Sequence, residues 1–575
     1  MAFGDVQFVS RKGLLSFSDP VDVVCVRAVD GVAEALRRVG RGVDTGLHAA
    51  GFLAYEAAPA FDPAFAAHPP GPLPLLWFGL YDAPLPGDLQ DCGDDAGAPP
   101  CWEALVSGEE FAAAMARIRG YIAAGDTYQV NLTFPLRADF KGGARAWFRR
   151  LCAAQRADHC AFIDAGTFQI LSASPELFFR LDGRRIETRP MKGTRPRGLW
   201  PEADRRAARE LAESEKDRAE NLMIVDLLRN DLGRVAETGT VRVERLFELE
   251  RYETVWQMTS TIAAETAATV PEIFRALFPC GSVTGAPKVR TMRIINGLEP
   301  HPRGVYCGAA GWWSPGRRAE FNVAIRTVTL DSERGAALYS VGAGITWDSR
   351  TEAEHAECMA KAAVLNLNRP PFDLLESLLW EGGYFLLDGH LRRLSESADY
   401  FGFVFDAEKV KRFLLDEAVV LAERGGGWKV RLLLARDGAC RVESEPAGGG
   451  APVRLGFAAD PVDAEGDVFL YHKTTHREAY RRSLASRPDC GEVLLWNRRG
   501  EVTEASTANV VAEIGGVRWT PPVSCGLLAG TMRESLLEKG EIRERILTKG
   551  EIVRAERVWL VNSVRGWVQA AGGVV

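Results

Sequence analysis

The sequence lacks the features that mark membrane, secreted and nucleic-acid-binding proteins. No run approaches the roughly 18 consecutive apolar residues that a membrane-spanning helix needs. Residues Met1–Gly13 contain no basic segment followed by an apolar one, so we expect no secretory signal. Neither sign of charge dominates, because 70 Lys and Arg oppose 77 Asp and Glu, a formal charge of −7. This balance disfavours a broad nucleic-acid or anionic-membrane surface.

Paired and clustered cysteines are also lacking. The 11 cysteines are odd in number and scattered, without a Cys-x-x-Cys pair. This pattern indicates reduced thiols and disfavours a zinc site or a disulfide framework. We therefore expect a cytoplasmic protein.

The length of 575 residues predicts more than one domain. Predicted strands occur in runs rather than in strict alternation with helices, which favours an α+β fold with antiparallel sheets. Residues 83–101, rich in Pro, Gly and Asp, predict an exposed loop. A helix ends near Asn366–Asn368, and Arg369-Pro370-Pro371 follows. Because proline cannot continue a helix, we place the boundary here, between domains at 1–368 and 372–575.

Two predicted helices carry carboxylates for which a structural and a functional interpretation are both open. Glu220 precedes the apolar stripe of one helix, and the helix predicted over Thr351–Leu365 places Glu357 and Lys361 on one face. One interpretation is an ordinary surface ion pair between Glu357 and Lys361. The other is a Mg²⁺ ion held by Glu220 and Glu357, with Lys361 facing a substrate carboxylate.

Two glycine-rich stretches expose the backbone to a ligand. Pro279–Lys288 leads into a predicted helix, where backbone N–H groups can receive an anion. It is not a phosphate loop of the Gly-x-x-x-x-Gly-Lys type, because Ala-Pro follows Gly285. Gly342 and Gly344 end a predicted strand, where either a ligand approaches closely or a bulge forms.

With Ser174-Pro175-Glu176 and Pro190-Met191-Lys192-Gly193-Thr194, these stretches resemble the chorismate-utilising enzymes. That family includes anthranilate synthase component I, aminodeoxychorismate synthase component I, and isochorismate or salicylate synthases. The resemblance extends over about residues 45–368. It implies chorismate as the substrate and a two-sheet antiparallel α+β sandwich with outer helices, whose active site lies between the sheets.

The resemblance also implies roles for single residues. Anthranilate synthases have Ala at the position of Lys192, whereas in aminodeoxychorismate synthases this lysine attacks C2 of chorismate while the C4 hydroxyl leaves, and ammonia then adds at C4. Glu176 fits the general acid. Isochorismate synthases carry a lysine base where this chain has Gln129. The implied Mg²⁺ ligands are Glu220 and Glu357. The implied substrate contacts are Gln129, Thr284, Tyr306, Arg326, Gly342, Gly344 and Lys361.

The second domain carries a different set of motifs. They are Arg393 in a predicted helix, Lys473 in a polar cluster, Glu504 between two predicted strands, and a turn at Gly530-Thr531-Met532 that opens a helix. Each alone is readily explained as structural. Together and in this order they resemble the class-IV pyridoxal-phosphate enzymes, which include branched-chain and D-amino-acid aminotransferases and aminodeoxychorismate lyase.

This second resemblance implies pyridoxal 5′-phosphate as cofactor. Lys473 would attach it covalently, and Glu504 would keep its pyridine nitrogen protonated. The implied phosphate contacts are Arg393, Thr531, Met532, Asn562 and Ser563. We interpret the domain as 4-amino-4-deoxychorismate lyase because the first domain would make that enzyme's substrate. The alternatives are a non-catalytic second domain and a fused anthranilate synthase, which Lys192 disfavours.

The chain contains no Gly-x-Cys-x-Gly elbow of the kind that activates a glutaminase cysteine. The sequence therefore predicts that a separate glutaminase subunit supplies ammonia. We expect no nucleic-acid or membrane partner. A homodimer could form through the second domain.

Overall fold

The computed structural model describes residues 3–10, 13–87, 97, 100–366, 370–449, 451–572 and 574. Two compact units make up the chain: Met1–Pro196 with Ala208–Arg369, and Arg197–Ala207 with Pro370–Val575. The second unit thus includes a short segment that lies, in sequence, inside the predicted first domain. The predicted boundary residues 367–369 and most of the predicted loop 83–101 fall outside the described residues.

Two antiparallel sheets form the first unit, each with ten strands among the described residues. The strands are β1 Val6–Ser10, β2 Gly13–Phe17, β3 Asp22–Val26, β4 His48–Leu53, β5 Leu76–Tyr81, β6 Leu85–Gly87, β7 Glu103–Ala104, β8 Gln129–Asp139, β9 His159–Asp164, β10 Phe168–Ser174, β11 Leu177–Asp182, β12 Arg185–Arg189, β13 Met191–Pro196, β14 Arg242–Arg251, β15 Val255–Glu265, β16 Gly285–Ala286, β17 Ala309–Ser314, β18 Arg318–Val323, β19 Thr327–Asp331 and β20 Ala336–Ile345. One sheet has the order β16-β8-β20-β19-β10-β9-β1-β2-β6, and the other β13-β15-β12-β11-β18-β17-β4-β5-β3; β7 pairs with β8, and β14 with β15.

Helices cover the outer faces of these sheets. They are α1 Val29–Asp44, α2 Gly108–Ala123, α3 Ala144–Gln155, α5 Glu215–Gly233, α6 Val270–Leu277, α7 Lys288–Leu298 and α8 Thr351–Ala362, whereas α4 Pro201–Glu213 begins in the segment that belongs to the second unit. Helices α2, α3 and α8 share a core with the first sheet, α1, α5 and α6 share one with the second, and α7 contributes to both cores. A third apolar cluster, which includes Phe17, Trp77 and Ile163, fills the space between the sheets.

Two local predictions for this unit were wrong. The residues from Pro201 to Leu232 have the pattern of one long helix, which predicts a single helical block. The structure breaks this block at Ser214, whose hydroxyl accepts a hydrogen bond from Asp217 N and so starts a new helix, α5. Leu85–Gly87, predicted as loop, forms a strand because β2 offers it a hydrogen-bonding edge.

The second unit contains three smaller sheets among its described residues. Its strands are β21 Leu374–Trp380, β22 Trp428–Leu434, β23 Cys440–Pro446, β24 Leu455–Phe457, β25 Glu492–Trp496, β26 Val502–Ala505, β27 Asn509–Ile514, β28 Val517–Thr520, β29 Arg543–Glu544, β30 Arg557–Asn562 and β31 Gly566–Gln569. Its helices are α9 Leu387–Phe401, α10 Ala407–Arg424, α11 Glu478–Ala485, α12 Thr531–Glu538 and α13 Lys549–Val553.

The sheets of this unit are largely antiparallel. The sheet orders are β21-β22-β23, β24-β25-β26 and β29-β28-β27-β30-β31, with parallel pairing at β24–β25 and β28–β29. The predicted α+β class is confirmed. Among the described residues every cysteine is a free thiol, and no helix combines the length and apolar character needed to cross a membrane.

Candidate active sites

The first unit holds a cavity of about 140 Å³ where α5 and α8 approach the two sheets. Strands β13 and β20 and both helices contribute to its lining. Most of the residues expected to contact chorismate or Mg²⁺ line it together. They are Glu176, Lys192, Glu220, Tyr306, Arg326, Gly342, Gly344, Glu357 and Lys361.

Glu176 lies at the wall of this cavity with only 3% of its surface exposed. Its backbone N–H donates to Ser174 Oγ at 3.2 Å, and that hydroxyl donates to Val323 O, so the tight Ser-Pro-Glu segment fixes the side chain. The Oε1 atom has no hydrogen-bond partner in the described part of the chain. Burial raises the pKa of Glu176 to about 7. At neutral pH the group can therefore hold a proton and donate it.

Lys192 extends from β13 into the same cavity. Burial lowers the pKa of its amine, the nearby Glu220 carboxylate opposes that shift, and the Lys361 cation adds to it. A Cβ atom at Gly344 would lie 2.8 Å from Lys192 Nζ and would collide with the Gln129 amide. Gly344 is thus required for the close approach of Lys192 and Gln129. A lysine with a lowered pKa is a candidate nucleophile.

A second cation, Lys361 of α8, is fixed by short contacts. Its Nζ donates to Gly342 O at 2.9 Å and lies 2.6 Å from Glu357 Oε1. Its own carbonyl accepts hydrogen bonds from Arg326 Nη1 and Tyr339 Oη. Arg326 has a φ of 51°, a left-handed conformation that costs energy for a side chain other than glycine. Lys361 and Arg326 together give this wall of the cavity a positive charge suited to a carboxylate.

Thr284 and Gln129 are placed differently from the other predicted contacts. The Thr284 side chain is fully buried, and its hydroxyl donates to Cys280 O and Gly281 O within its own turn. Gln129 lies behind Gly344, and its Oε1 has no partner among the described residues. Several lining residues were missed by sequence reasoning. Among them, Asn131 and Lys216 are marked by no glycine motif, and Ser282 lies in the glycine-rich stretch Pro279–Lys288 without having been singled out.

The second unit holds a larger cavity, of about 700 Å³. It is formed by residues from β21, β22, β26, β30 and the beginning of α12. All residues expected to contact the cofactor line it. They are Arg393, Lys473, Glu504, Thr531, Met532, Asn562 and Ser563.

Lys473 lies at the wall of this cavity, where Leu375 N donates to its carbonyl at 3.0 Å and ties it to β21. Burial, together with the cations of Arg393 and Arg477, lowers the pKa of its amine to about 7. A substantial fraction of the amine is therefore uncharged at neutral pH.

Glu504 lies within β26, not between two strands as the sequence predicted, and this placement directs it into the cavity. Its carboxylate accepts hydrogen bonds from Tyr480 Oη at 2.7 Å, Leu528 N at 3.0 Å and Asn509 Nδ2 at 3.1 Å. Burial raises its pKa to about 7. A cation beside such a carboxyl group favours its ionised form.

Comparison with known proteins assigns each unit to a family. Residues 94–366 match the chorismate binding enzymes, and residues 373–572 match the amino-transferases of class IV. The chain joins a chorismate-binding domain to a class IV amino-transferase domain.

The chorismate-binding domain is similar to several characterised proteins. It is 44% identical over 262 residues to aminodeoxychorismate synthase component 1 of Salmonella typhimurium, covering 45% of this chain and 57% of that protein. It is 40% identical over 267 residues to anthranilate synthase component 1 of Streptomyces coelicolor, covering 46% and 52%. The matched region thus spans little more than half the length of these relatives.

A solved structure supports the fold. Anthranilate synthase component I from Streptococcus pneumoniae is 25% identical, with a TM-score of 0.51 over 63% of this chain and 90% of that one. The two-sheet sandwich predicted from the sequence is therefore the architecture of the chorismate-binding domain.

The acidic residues of this domain fit a Mg²⁺ ion. Glu220, Glu354 and Glu357 line one cavity beside the cations that would bind a substrate carboxylate. Burial raises the pKa of Glu220 and of Glu354, so a divalent cation would favour their ionised forms. Among the described residues no group of three or more His, Cys, Asp or Glu forms a ready-made metal cage. Mg²⁺ does not require one, since it retains waters and takes oxygens from substrate.

The class IV domain fits pyridoxal phosphate. The N-terminus of α12 presents backbone N–H groups of Thr531 and Met532 to the cavity, a favourable position for a phosphate. A Cβ atom at Gly530 would collide with Asn509 Oδ1, so glycine permits the close approach of the Asn509 side chain to the turn before α12. Lys473 and the buried Glu504 supply the amine and the carboxylate that the cofactor's aldehyde and pyridine nitrogen require.

A buried hydrogen-bonded triad of Glu376, His390 and Arg393 beside the beginning of α12 was missed by sequence reasoning. Glu376 accepts from His390 Nδ1 at 2.7 Å and from Arg393 Nε at 2.9 Å, and both partners hold the pKa of Glu376 at about 2 despite its burial. His390 Nε2 lies 3.3 Å from Thr531 Oγ1. The triad fixes Arg393 and Thr531 relative to each other. The acidic residue Glu376 between Leu375 and Ser377 is the sequence feature that could have indicated this triad.

Proposed function

We propose that the chain aminates chorismate at C4 and then eliminates pyruvate from the product to give p-aminobenzoate. The proposal depends above all on the shared cavity of Lys192 and Glu176, in which the amine is shifted toward its neutral form and the carboxyl toward its protonated form. These are the states that a nucleophile and a general acid need.

The amination begins with chorismate held by Arg326 and Lys361 through a carboxylate. The lone pair of Lys192 Nζ forms a bond to C2, the ring double bonds shift, and the C4 hydroxyl leaves as water with the proton of Glu176. Ammonia then forms its bond to C4 as the double bonds shift back and the C2–Nζ bond breaks. A proton lost by the nitrogen restores Glu176, so the sum is chorismate plus ammonia to aminodeoxychorismate plus water.

Mg²⁺, held by Glu220 and Glu357, would neutralise a substrate carboxylate. Lys361 adds positive charge to the same wall, because its hydrogen bond to Gly342 O keeps the ammonium group at the cavity surface.

The main alternative, an anthranilate synthase, is weakened by Lys192. Relatives of both kinds match this domain at similar identity, so overall similarity does not decide between them. Ammonia that adds directly at C2 would need an unhindered approach to that atom, and Lys192 lies in the cavity where an alanine would leave room.

A separate glutaminase subunit is proposed as the source of ammonia. The support is the lack of a Gly-x-Cys-x-Gly elbow in the sequence, together with the designation of relatives as component 1. We also propose a cytoplasmic location, consistent with the free thiols among the described residues.

The class IV domain is proposed to act as aminodeoxychorismate lyase. Pyridoxal phosphate would supply an aldehyde that attaches to the C4 amine and a ring that accepts electrons. Lys473 Nζ, uncharged for much of the time at neutral pH, takes the proton from C4 as the bond between the ring and the enolpyruvyl oxygen breaks. The leaving group takes up a proton to become pyruvate, and the ring becomes aromatic. Glu504 keeps its position through Tyr480 and Asn509.

The purified chain tests this proposal directly. With chorismate, Mg²⁺, ammonium and pyridoxal phosphate, we expect p-aminobenzoate and pyruvate in equal amounts, identified by chromatography and mass spectrometry. Glutamine in place of ammonium should give no product from the chain alone. Anthranilate as the product would contradict C4 amination, and accumulation of aminodeoxychorismate would show that the second domain is not a lyase.

The role of Glu176 predicts the pH dependence of amination. The group acts as an acid, so activity is present below its pKa and is lost as pH rises through it. We expect kcat/KM for chorismate to decline above about pH 7, measured with the concentration of neutral ammonia held constant. Glu176→Gln should lower the rate by about 10²–10⁴-fold and abolish this decline. Glu352→Gln, an exposed change on α8, serves as the control, and a Glu176→Gln variant with the parent pH profile would exclude Glu176 as the acid.

A further inference from the structure

A short segment of the chain, Arg197–Ala207, belongs to the class IV unit although it lies in sequence within the chorismate-binding domain. It begins where β13 ends, shortly after Lys192, and it includes the beginning of α4. We refer to it below as the crossing segment. It packs on the part of the second unit that leads to Lys473.

Apolar side chains of the crossing segment complete two cores of the class IV unit. Leu199 packs against the cluster formed by β21, β22, α9 and α10, and also against the cluster that includes Leu470 and Tyr480. Trp200 packs against the second cluster, where its ring stacks on that of Tyr471 with the centroids 5.3 Å and the planes 22° apart. Because stacked aromatic pairs prefer a defined geometry, this contact fixes both the position and the direction of the Tyr471 ring.

The buried cation of Arg197 is the second anchor of the crossing segment. Its Nε and Nη2 donate to the two carboxylate oxygens of Asp204 at 2.6 and 2.7 Å. Its guanidinium lies 4.0 Å over the ring of Tyr400, whose backbone carbonyl accepts from Nη2 at 3.2 Å. The Tyr400 ring lies 4.4 Å from that of His472, and Ser397 Oγ lies 3.0 Å from His472 Nδ1. The ion pair therefore holds Tyr400, and through it His472, in one arrangement.

Tyr471 and His472 are the two residues immediately before Lys473. One contacts the crossing segment directly, and the other contacts it through an aromatic neighbour. After the lysine side chain, the backbone is held by β21, because Leu375 N donates to the Lys473 carbonyl at 3.0 Å. The backbone at Lys473 is thus fixed by the crossing segment on one side and by β21 on the other.

The position of Lys473 Nζ decides its chemistry, because four charged groups surround it. The cations of Arg393 and Arg477 add to burial in lowering its pKa to about 7, whereas the carboxylates of Glu376 and Glu504 oppose that shift. Each of these contributions depends on its distance from Nζ. A shift of the lysine backbone would therefore change the fraction of amine that is uncharged at neutral pH.

We propose that Trp200 and Arg197 are positioning residues for the class IV active site: they hold Tyr471 and His472 and so place the Lys473 amine where the cofactor's aldehyde would meet it. This inference rests on the proposed role of Lys473. It makes the class IV site dependent on residues that precede the matched class IV region and lie within the chorismate-binding sequence.

The test measures the Lys473 amine in the full chain without cofactor. Trace acetylation with acetic anhydride at a series of pH values, followed by mass spectrometry of the Lys473 peptide, gives the pH midpoint at which the amine becomes reactive. The parent midpoint should lie near 7. Trp200→Leu keeps apolar volume but loses the ring stacked on Tyr471, so Nζ should become more hydrated and its midpoint should rise by about one pH unit or more. Trp200→Phe, which retains a ring, should return the midpoint to near the parent value.

Cofactor binding gives a second readout. The dissociation constant for pyridoxal phosphate, from absorbance near roughly 410–430 nm, should rise about tenfold in Trp200→Leu, and lyase turnover should fall about 10–100-fold. C4 amination should stay within about twofold of the parent, since Trp200 does not line the first active-site cavity. Arg197→Lys keeps the charge but loses the planar fork that pairs with Asp204 and stacks on Tyr400, so it should shift both readouts in the same direction.

Trp519→Leu is the matched control. Trp519 is half-buried like Trp200, lies on β28 of the same unit with its ring 5.1 Å from the Arg545 guanidinium, and is not part of the cavity wall. It should keep the parent midpoint and dissociation constant. A double variant tests the route: if Trp200 acts through Tyr471, Trp200→Leu combined with Tyr471→Leu should shift the midpoint no further than Tyr471→Leu alone.

Parent values of the midpoint and the dissociation constant in both Trp200→Leu and Arg197→Lys would overturn the positioning role. Equal changes in Trp519→Leu would also overturn it, because they would indicate a general loosening of the unit. A loss of C4 amination in Trp200→Leu without a change in the Lys473 midpoint would assign the crossing segment to the first domain instead. In each of these cases the parent chain still binds pyridoxal phosphate and the proposed function stands. A parent chain that forms no absorbance band would contradict the proposed function itself, and the positioning role with it.

Discussion

Lys473→Ala is expected to stop p-aminobenzoate release while chorismate is still aminated, so that aminodeoxychorismate accumulates. Lys473 lines the cavity together with Glu504, and its amine is shifted toward the neutral form that bonds to an aldehyde and accepts a proton. Lys429 also lines the cavity, but its amine is ion-paired with Glu445. Loss of both roles should lower lyase turnover by at least about 10³-fold. The measurement is the ratio of aminodeoxychorismate to p-aminobenzoate, followed by chromatography.

The binding role of Lys473 has a readout that does not depend on turnover. The parent chain should show an absorbance band near roughly 410–430 nm with pyridoxal phosphate, and borohydride should fix the cofactor's mass on the peptide that contains Lys473. Lys473→Ala should lack both signals. Lys539→Ala, an exposed lysine at the end of α12, should keep them. A Lys473→Ala chain that makes p-aminobenzoate at the parent rate would exclude the class IV domain as the lyase.

Elements with one buried face were predictable from the sequence. The apolar spacing of Phe111, Met115, Ile118 and Ile122 predicts a helix over 109–124, and the structure has α2 at Gly108–Ala123, capped by Ser107 and Glu110. This periodicity reflects which side chains face the core, so it can be read without knowledge of the neighbouring element. The apolar stretch Phe168–Ser172 also predicts a strand, which is β10, although this strand is buried on both faces.

Elements whose state depends on a distant partner were not predictable. The edge strand β6 forms because β2 lies beside it, and its Leu-Pro-Gly sequence indicates a turn. Likewise Arg197 makes two hydrogen bonds to Asp204 and stacks on Tyr400, about 200 residues away, within the second unit. Nothing in the local sequence around Arg197 indicates that contact.

The candidate sites likewise contain features that were predictable from the sequence and features that were not. Motif order predicted site residues that line the two cavities, with the exception of Thr284 and Gln129. It did not predict the hydrogen bonds that orient Glu504, since Tyr480 and Asn509 come from other elements.

We expect Lys192→Ala to lower the rate of C4 amination in the first domain as strongly as Lys473→Ala should lower lyase turnover in the second. If Nζ forms a bond to C2, its removal eliminates the covalent route, and C4 amination should decrease by at least about 10³-fold. The alanine also opens space beside Gly344, which Lys192 Nζ now approaches. We therefore expect part of the residual reaction to place nitrogen at C2 and yield an anthranilate-type product, detected by mass spectrometry and fluorescence.

Two further variants separate the chemistry of Lys192 from its charge. Lys192→Arg keeps a cation opposite Glu220 and Glu176 but has no amine that loses its proton at neutral pH, so it should be as inactive in C4 amination as Lys192→Ala. Lys216→Ala removes a cation from the mouth of the same cavity and should change the KM for chorismate more than kcat. A Lys192→Arg variant with substantial activity would mean that charge alone is required. Aminodeoxychorismate formation by Lys192→Ala at the parent rate would remove the covalent step from the mechanism, because ammonia would then add at C4 without prior attack at C2.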